Sequence, residues 1–174
     1  EISEKKIKPS FFEVKDLLIE GFDTLKRYED HKGIPTGVPT GFKQLDNLTS
    51  GLQKSDLIIL AARPSMGKTA FALNITRNAA VESNIPGALF SLEMAKEKLV
   101  MRLLFSEARL NATRLRDGCI TKEDWEILNQ AGSTLHEAPI YIDDSADNSV
   151  LSIRAKSRRL KMETGLGLVV IDYL

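Results

Sequence analysis

Leu57-Ile58-Ile59-Leu60-Ala61-Ala62-Arg63-Pro64-Ser65-Met66-Gly67-Lys68-Thr69-Ala70-Phe71-Ala72-Leu73-Asn74 decides the fold. An apolar run, Leu57 to Leu60, leads into a short polar loop ending in Gly67-Lys68-Thr69, and a helical pattern follows. Strand, loop and helix in that order form the context a phosphate-binding P-loop requires. Such a loop turns its backbone N–H groups towards a chain of phosphates, and the helix behind it adds the positive end of its dipole. Gly67 lacks a Cβ and lets the backbone approach a ligand closely. Lys68 brings a point charge to the outer phosphates, and the Thr69 hydroxyl is a ligand for Mg²⁺. The general pattern G-x-x-x-x-G-K-S/T asks for glycine where this sequence has Ala62. A methyl group is tolerated there if φ is negative. The bland alternative is a chance Gly-Lys-Thr between a strand and a helix.

Downstream, strands alternate with helices. Leu57 to Ala61 is expected to be the first core strand, and Phe71 to Glu82 the helix after the loop. Pro86-Gly87 turns the chain into a second strand, Ala88 to Leu92, which ends at Glu93. Lys96 to Ala108 reads as a helix with Leu99, Leu103 and Leu104 inward. Asn111 caps a short helix ending near Gly118; Thr121 with Asp124 starts another, through Trp125 and Leu128 towards Leu135. Pro139 to Ile142 is a third strand, Ser149 starts a basic helix with Ile153 and Leu160 inward, and Leu168 to Ile171 is a fourth strand ending at Asp172. This alternation predicts right-handed crossovers and a parallel sheet. Nearly continuous apolar strands predict cover on both faces. Ligands of such sheets sit beyond the carboxyl ends of the strands. The loop at 62–69, Glu93 and Asp172 therefore meet at one edge.

Upstream, Phe42 to Asp46 reads as a short helical turn closed by Gly51-Leu52. Residues 10–30 read as an amphipathic helix, with Ser10 and Glu13 as its capping box. Phe11, Val14, Leu18, Phe22 and Leu25 form one apolar stripe at spacings of three and four. About twenty residues of helix reach roughly 30 Å. Gly33 to Gly41 is rich in turn residues and reads as a tether able to carry the helix away from its own body. Packing of the stripe on its own domain is the bland reading; docking on a neighbouring subunit is the favoured one. The domains are thus 1–32, a linker-helix segment, and 33–174, a globular α/β domain.

Composition narrows the class. The hydrophobic content of 43% is ordinary for a globular chain, and 174 residues suffice for one α/β domain plus an appendage. Lys+Arg and Asp+Glu balance at 24 each, so no global basic field attracts nucleic acid. Cys119 is the only cysteine, which excludes an internal disulfide, fits a reducing compartment and reads as inert. No signal peptide or membrane-spanning run is visible, and the expected location is the cytoplasm. The chain opens on Glu1 and closes on Ile171-Asp172-Tyr173-Leu174, as though cut from something longer.

Phosphoanhydride hydrolysis needs a phosphate cradle, a divalent metal and a group that orients or deprotonates water. Residues 62–69 supply the cradle. Asp172 follows four aliphatic residues, the arrangement of a Walker B strand, and would hold Mg²⁺ through water beside Thr69. Glu93 is the candidate general base for the attacking water. Acids at strand ends also cap helices or face solvent, and each of the two carries that alternative. Asp143, Asp144 and Asp147 likewise follow a strand and read as a solvated turn and helix start rather than a metal site. Arg154 to Lys161 is the one dense basic patch; without interleaved aromatics it reads as a solvated helix face before a nucleic-acid surface.

These motifs together resemble a known family. Pro39-Thr40-Gly41-Phe42 with Leu45-Asp46, the stretch Ala61 to Asn74, Phe90-Ser91-Leu92-Glu93-Met94 and Ile171-Asp172-Tyr173-Leu174 resemble the ATPase domain of bacterial DnaB-type replicative DNA helicases, from about residue 37 onward. Arg154 to Lys161 and Gly165-Leu166-Gly167 are similar to that family too, and the loop with Ala62 and Arg63-Pro64 is the family's own form. The resemblance implies a RecA-like P-loop NTPase fold, a homohexameric ring, and ATP-driven translocation on single-stranded DNA with unwinding of the duplex at the replication fork. It implies nucleotide binding by Ala62, Arg63, Ser65, Met66, Gly67, Lys68, Thr69 and Arg102, catalysis by Glu93 and Lys68, and Mg²⁺ at Thr69 and Asp172. It makes the 10–30 helix a linker that packs on the adjacent subunit, and implies primase and a helicase loader as partners. The family's DNA-binding loops and basic finger residues lie after the Asp172 strand, so this chain by itself is expected to bind nucleotide incompletely and not to unwind DNA. Two rivals stand beside this reading: a RecA-like recombinase that binds DNA without unwinding it, and a non-catalytic piece that acts in assembly through its 10–30 helix.

Overall fold

The computed structural model describes residues 13–15, 18, 21, 22, 35–112 and 120–173. Ser10, Phe11, Leu25, Gly33, the short helix expected after Asn111 and Cys119 lie outside them. The chain divides into two units, Glu1–Ile34 and Pro35–Leu174. In the first, residues 14, 15, 18, 21 and 22 are helical, and Val14, Leu18 and Phe22 expose their side chains.

The second unit is built on a parallel sheet. In chain order its elements are α1 (Lys43–Thr49), α2 (Lys68–Ser83), β1 (Gly87–Ser91), α3 (Lys96–Ala108), α4 (Lys122–Glu137), β2 (Ile140–Asp143), α5 (Val150–Thr164) and β3 (Leu168–Asp172). The strand order is β2-β1-β3, with Gly87 opposite both Ile140 and Leu168. β1 lies in the middle and is buried along its whole length. Leu89 points to one face and packs with Leu73, Leu99 and Leu103, so α2 and α3 cover that side. Ala88 and Phe90 point to the other and meet Ile153 and Leu166 under α5. A third cluster, Phe105, Ala108, Leu128 and Ala131, joins α3 to α4.

The predicted caps explain the helix starts. Thr121 and Asp124 exchange hydrogen bonds in a capping box, and Ser149 accepts from the Ser152 amide. α2 ends on Asn84 in the left-handed region (φ 52°), just before Pro86.

Three expectations are corrected. Residues 57–61 are not a strand. Leu57 is 88% and Ile59 81% exposed, and no ladder reaches them among the described residues. An apolar run becomes a strand only where a neighbour takes its amides and carbonyls, and none of the three described strands does so. Second, cover is not complete on both faces. β3 lies at an edge, and Val169 and Ile171 stay partly exposed on the side where Ala88 and Phe90 meet α5. Third, the expected tether is folded from Gly37 onward. Val38 bridges Leu52, the Gly37 amide donates to the Ser50 carbonyl, and Thr40 is fully buried.

The reason lies in Asp46. Its carboxylate accepts from the Thr40 amide (2.8 Å), the Thr40 hydroxyl (2.7 Å) and the Gly41 amide (3.1 Å). Asn78 on α2 donates to the Thr40 carbonyl, and the Phe42 ring stacks 4.8 Å from Phe71. The turn before α1 is thereby fastened to the helix that follows the 62–67 loop.

Candidate functional site

Ala62, Arg63, Ser65 and Met66 lie in an exposed loop. The Met66 amide donates to the Arg63 carbonyl, making a tight turn, and Ser65 takes a left-handed conformation (φ 63°). Ala62 is outside the positive-φ set, so its methyl group is accommodated as the sequence reading required. Gly67 is the N-cap of α2 at φ 89°, a conformation that disfavours any side chain. A Cβ there would meet nothing within 4 Å, so glycine answers to backbone conformation within this chain and leaves open space before the helix. No side chain caps α2, and its first-turn amides face that space, a ready seat for an anion.

The helix begins at Lys68, three residues earlier than the periodicity predicts, which puts Lys68 and Thr69 in its first turn. Both reach across to Asp172 at the carboxyl end of β3. Lys68 Nζ lies 2.8 Å from one carboxylate oxygen, and the Thr69 hydroxyl donates to the other at 2.6 Å. Asp172 is 5% exposed. Burial pushes its carboxyl up, but the hydrogen bonds from Lys68 and Thr69 and the charges of Lys68 and Arg102 outweigh it, and the group is held below the usual carboxylate range. Arg102, exposed on α3, is thus close enough to act on the same carboxylate. Lys68 also lies 4.2 Å from the centre of the Tyr173 ring, a cation–π contact the sequence reading did not anticipate.

Glu93 occupies the exposed turn between β1 and α3. Ser91 pairs with Asp172 in the sheet register, and the Leu92 amide donates to the Asp172 carbonyl, so the Glu93 turn runs beside the Asp172 strand end. The three places singled out in the sequence therefore share one sheet edge.

The acidic cluster at the end of β2 differs in part from expectation: Asp147 is exposed as expected, but its two companions are not. Asp143 and Asp144 are half-buried and paired instead of solvated: Asp143 with Lys156 at 2.6 Å, Asp144 with Lys96 at 3.1 Å. Burial pushes Asp143 up, but Lys156, Ser145 and Asn148 hold it far below its usual value. On α5, Arg154 and Arg158 face solvent, Arg159 pairs with Glu163, and Lys161 donates to the Leu166 carbonyl.

The profile of the DnaB-like helicase C-terminal domain family matches residues 37–174. The chain belongs to that family. Over its whole length it is 52% identical to the replicative DNA helicase DnaB of Geobacillus stearothermophilus and 50% identical to the replicative DNA helicase DnaC of Bacillus subtilis. It spans 38% of the length of each of these relatives. Among solved structures, an ATPase domain superposes with a TM-score of 0.85 at 34% identity, over 95% of this chain and 58% of that one. A DnaB-like replicative helicase, whose structure was described with its interactions with primase, superposes with a TM-score of 0.84 at 35% identity, over 92% of this chain and 39% of that one. The α/β architecture with a parallel sheet is that of these DnaB-like ATPase domains. Among the described residues no helix is long and apolar enough to cross a membrane.

Proposed function

We propose that this chain supplies the linker helix and the nucleotide-binding part of the motor domain of a ring-shaped replicative DNA helicase. The carrying observation is the convergence of Lys68 and Thr69 on the buried Asp172, beside the turn that presents Glu93. Family membership supports the use of a nucleotide, and ATP is the substrate of this reading.

Each residue has a role. The 62–67 loop and the first-turn amides of α2 cradle the phosphates, and Lys68 exchanges Asp172 for the outer phosphates as nucleotide arrives. Arg102 adds positive charge on the α3 side. Glu93 orients the attacking water and takes its proton. Thr69 Oγ1 and the Asp172 carboxylate are hard oxygen donors on one spot, which suits Mg²⁺. Among the described residues no group of three acidic, histidine or cysteine side chains is placed to hold a metal ion by itself, and Mg²⁺ commonly relies on one or two protein oxygens plus phosphate. When bound, Mg²⁺ neutralises charge on the transferred phosphoryl group.

Residues 1–32 act in this reading as a linker that docks its Val14-Leu18-Phe22 stripe on the adjacent copy in a hexamer, and residues 33–174 belong to the ATPase domain. Single-stranded DNA is the track, contacted mainly through parts of the longer protein. Primase, a helicase loader and a cytoplasmic location complete the proposal. Unwinding of a forked DNA duplex by the full-length protein with Mg-ATP tests it, with wild type beside Lys68→Ala. Unwinding by wild type alone is expected. ATP hydrolysis without unwinding would instead favour a recombinase-like motor.

A further inference from the structure

α3 starts without a cap of its own. Its N-cap is Ala95, which has no side-chain acceptor, and the first turn of a helix leaves amides unpaired. The acceptor comes from another element. Asp144, one residue beyond β2, takes the Lys96 amide on Oδ2 at 3.0 Å and the Lys96 ammonium on Oδ1 at 3.1 Å. A carboxylate at a helix start is also favoured by the helix dipole. Asp144 is itself set by its neighbour: Asp143 binds Lys156 of α5 and accepts from the Ser145 amide and the Asn148 side chain.

The segment so anchored carries Glu93. Its other end is fixed with equal care. The buried Ser91 hydroxyl donates to the Met94 carbonyl at 2.7 Å and accepts from the Met94 amide at 3.1 Å, while the Leu92 amide donates to the Asp172 carbonyl at 2.8 Å. Between Ser91 and Lys96 the backbone is thus held at both ends. The Glu93 side chain, in contrast, is exposed and makes no hydrogen bond or ion pair with another described residue. The backbone of this turn fixes the point from which it projects.

We propose that Asp144 is a positioning residue for the hydrolytic reaction: by capping α3 from the β2 loop it fixes the turn that aims Glu93 at the nucleotide. The proposal rests on the reading of Glu93 as the base. It gives the acidic pair after β2 and Lys156 of the basic helix a shared purpose, as the support behind that turn. A one-ångström error in the place of a reacting group can cost two orders of magnitude in rate.

The test uses the full-length protein and measures single-turnover ATP hydrolysis and affinity for a fluorescent ATP analogue side by side. Asp144→Ala is expected to slow hydrolysis about ten-fold or more with affinity within about three-fold, a split that positioning rather than binding produces. Asp144→Asn keeps an acceptor for the Lys96 amide, and asparagine is as good a cap as aspartate, so hydrolysis should return to near the wild-type rate. In a Glu93→Gln background, Asp144→Ala should slow hydrolysis little further, because the two residues act as one unit. Thermal unfolding of each variant separates loss of fold from loss of aim. The proposal is overturned if Asp144→Ala hydrolyses at the wild-type rate, if its loss adds in full to that of Glu93→Gln, or if it appears only with matching losses of affinity and melting temperature. Glu93→Gln alone at the wild-type rate would overturn the reading of Glu93 instead.

Discussion

Replacing Asp46 with alanine should destabilise this chain by about 3 kcal/mol. Asp46 accepts two hydrogen bonds from Thr40, at 2.8 Å and 2.7 Å, and Thr40 is 0% exposed. A hydrogen bond to a charged group contributes roughly 1.5–3 kcal/mol net, and the buried donors left behind find no water. The third bond, from the exposed Gly41 amide, is replaced by solvent and adds little. Thr40 cannot swing outward to compensate, because its carbonyl is held by Asn78 on α2. Two buried bonds at the lower end of that range, since Asp46 itself is half-buried, give the figure. For a domain of this size the melting temperature should fall by roughly 6–12 °C. Both Thr40 bonds go to one oxygen, Oδ1, which Asp46→Asn can keep, so that change loses only the charge and the Gly41 bond and should cost clearly less. Urea unfolding of the chain, followed through Trp125, its only tryptophan, reads the difference. A loss below about 0.5 kcal/mol for Asp46→Ala, typical of a surface change, would refute the claim that this carboxylate fastens the turn to the site helix.

Other outcomes follow from the same geometry. Asp172 titrates below its unfolded value, so its contribution to stability is present above about pH 4 and is lost as pH falls through the lowered folded value. Lys68→Met removes the first of the groups that hold it down, and acid unfolding should then begin at higher pH. Ile59→Lys in the 174-residue chain should change stability by less than about 0.5 kcal/mol, because Ile59 is 81% exposed, and should reduce aggregation on heating; a loss above about 2 kcal/mol would mean the run is buried. Phe22→Asp in the full-length protein should break the assembly seen by mass measurement in solution, since burying an unpaired charge in a packed stripe costs several kcal/mol. An unchanged particle mass would remove the stripe from the interface.

Most of the fold is legible in the sequence because its signals are local. Gly87 to Ser91 and Leu168 to Asp172 are short apolar runs between turn residues, and both are strands within one residue of the expected bounds. Thr121 and Ser149 announce their helices through caps, which need only three or four residues to act. The acids are legible for a similar reason: in a parallel sheet, residues at the carboxyl ends of strands arrive at one edge. The loop after residue 61 joins that edge differently, through Lys68 and Thr69 of the helix behind it, which bond Asp172.

What escapes the sequence depends on partners far along the chain. Leu57 to Leu60 has the composition of a strand, yet a ladder needs a second backbone, and composition is silent about that. Pro39-Thr40-Gly41 looks like a loose tether until Asp46 and Asn78 close on Thr40. Asp143 and Asp144 look solvated because Lys156 and Lys96 are 13 and 48 positions away. Tyr173 gives no sign that Lys68, distant in sequence, will lie against its ring.

The central claim is that the 62–67 loop with the first turn of α2, the Glu93 turn and Asp172 form one ATP-hydrolysing site with Glu93 as its base. Single-turnover ATP hydrolysis by the full-length protein, wild type beside Glu93→Gln, with nucleotide affinity measured on the same samples, tests it most directly. A general base commonly contributes about 10²–10⁴ in rate. The account predicts a fall of at least about 100-fold for Glu93→Gln with affinity nearly unchanged. Equal rates for the two proteins would contradict it and send the search for the base to another residue at this sheet edge.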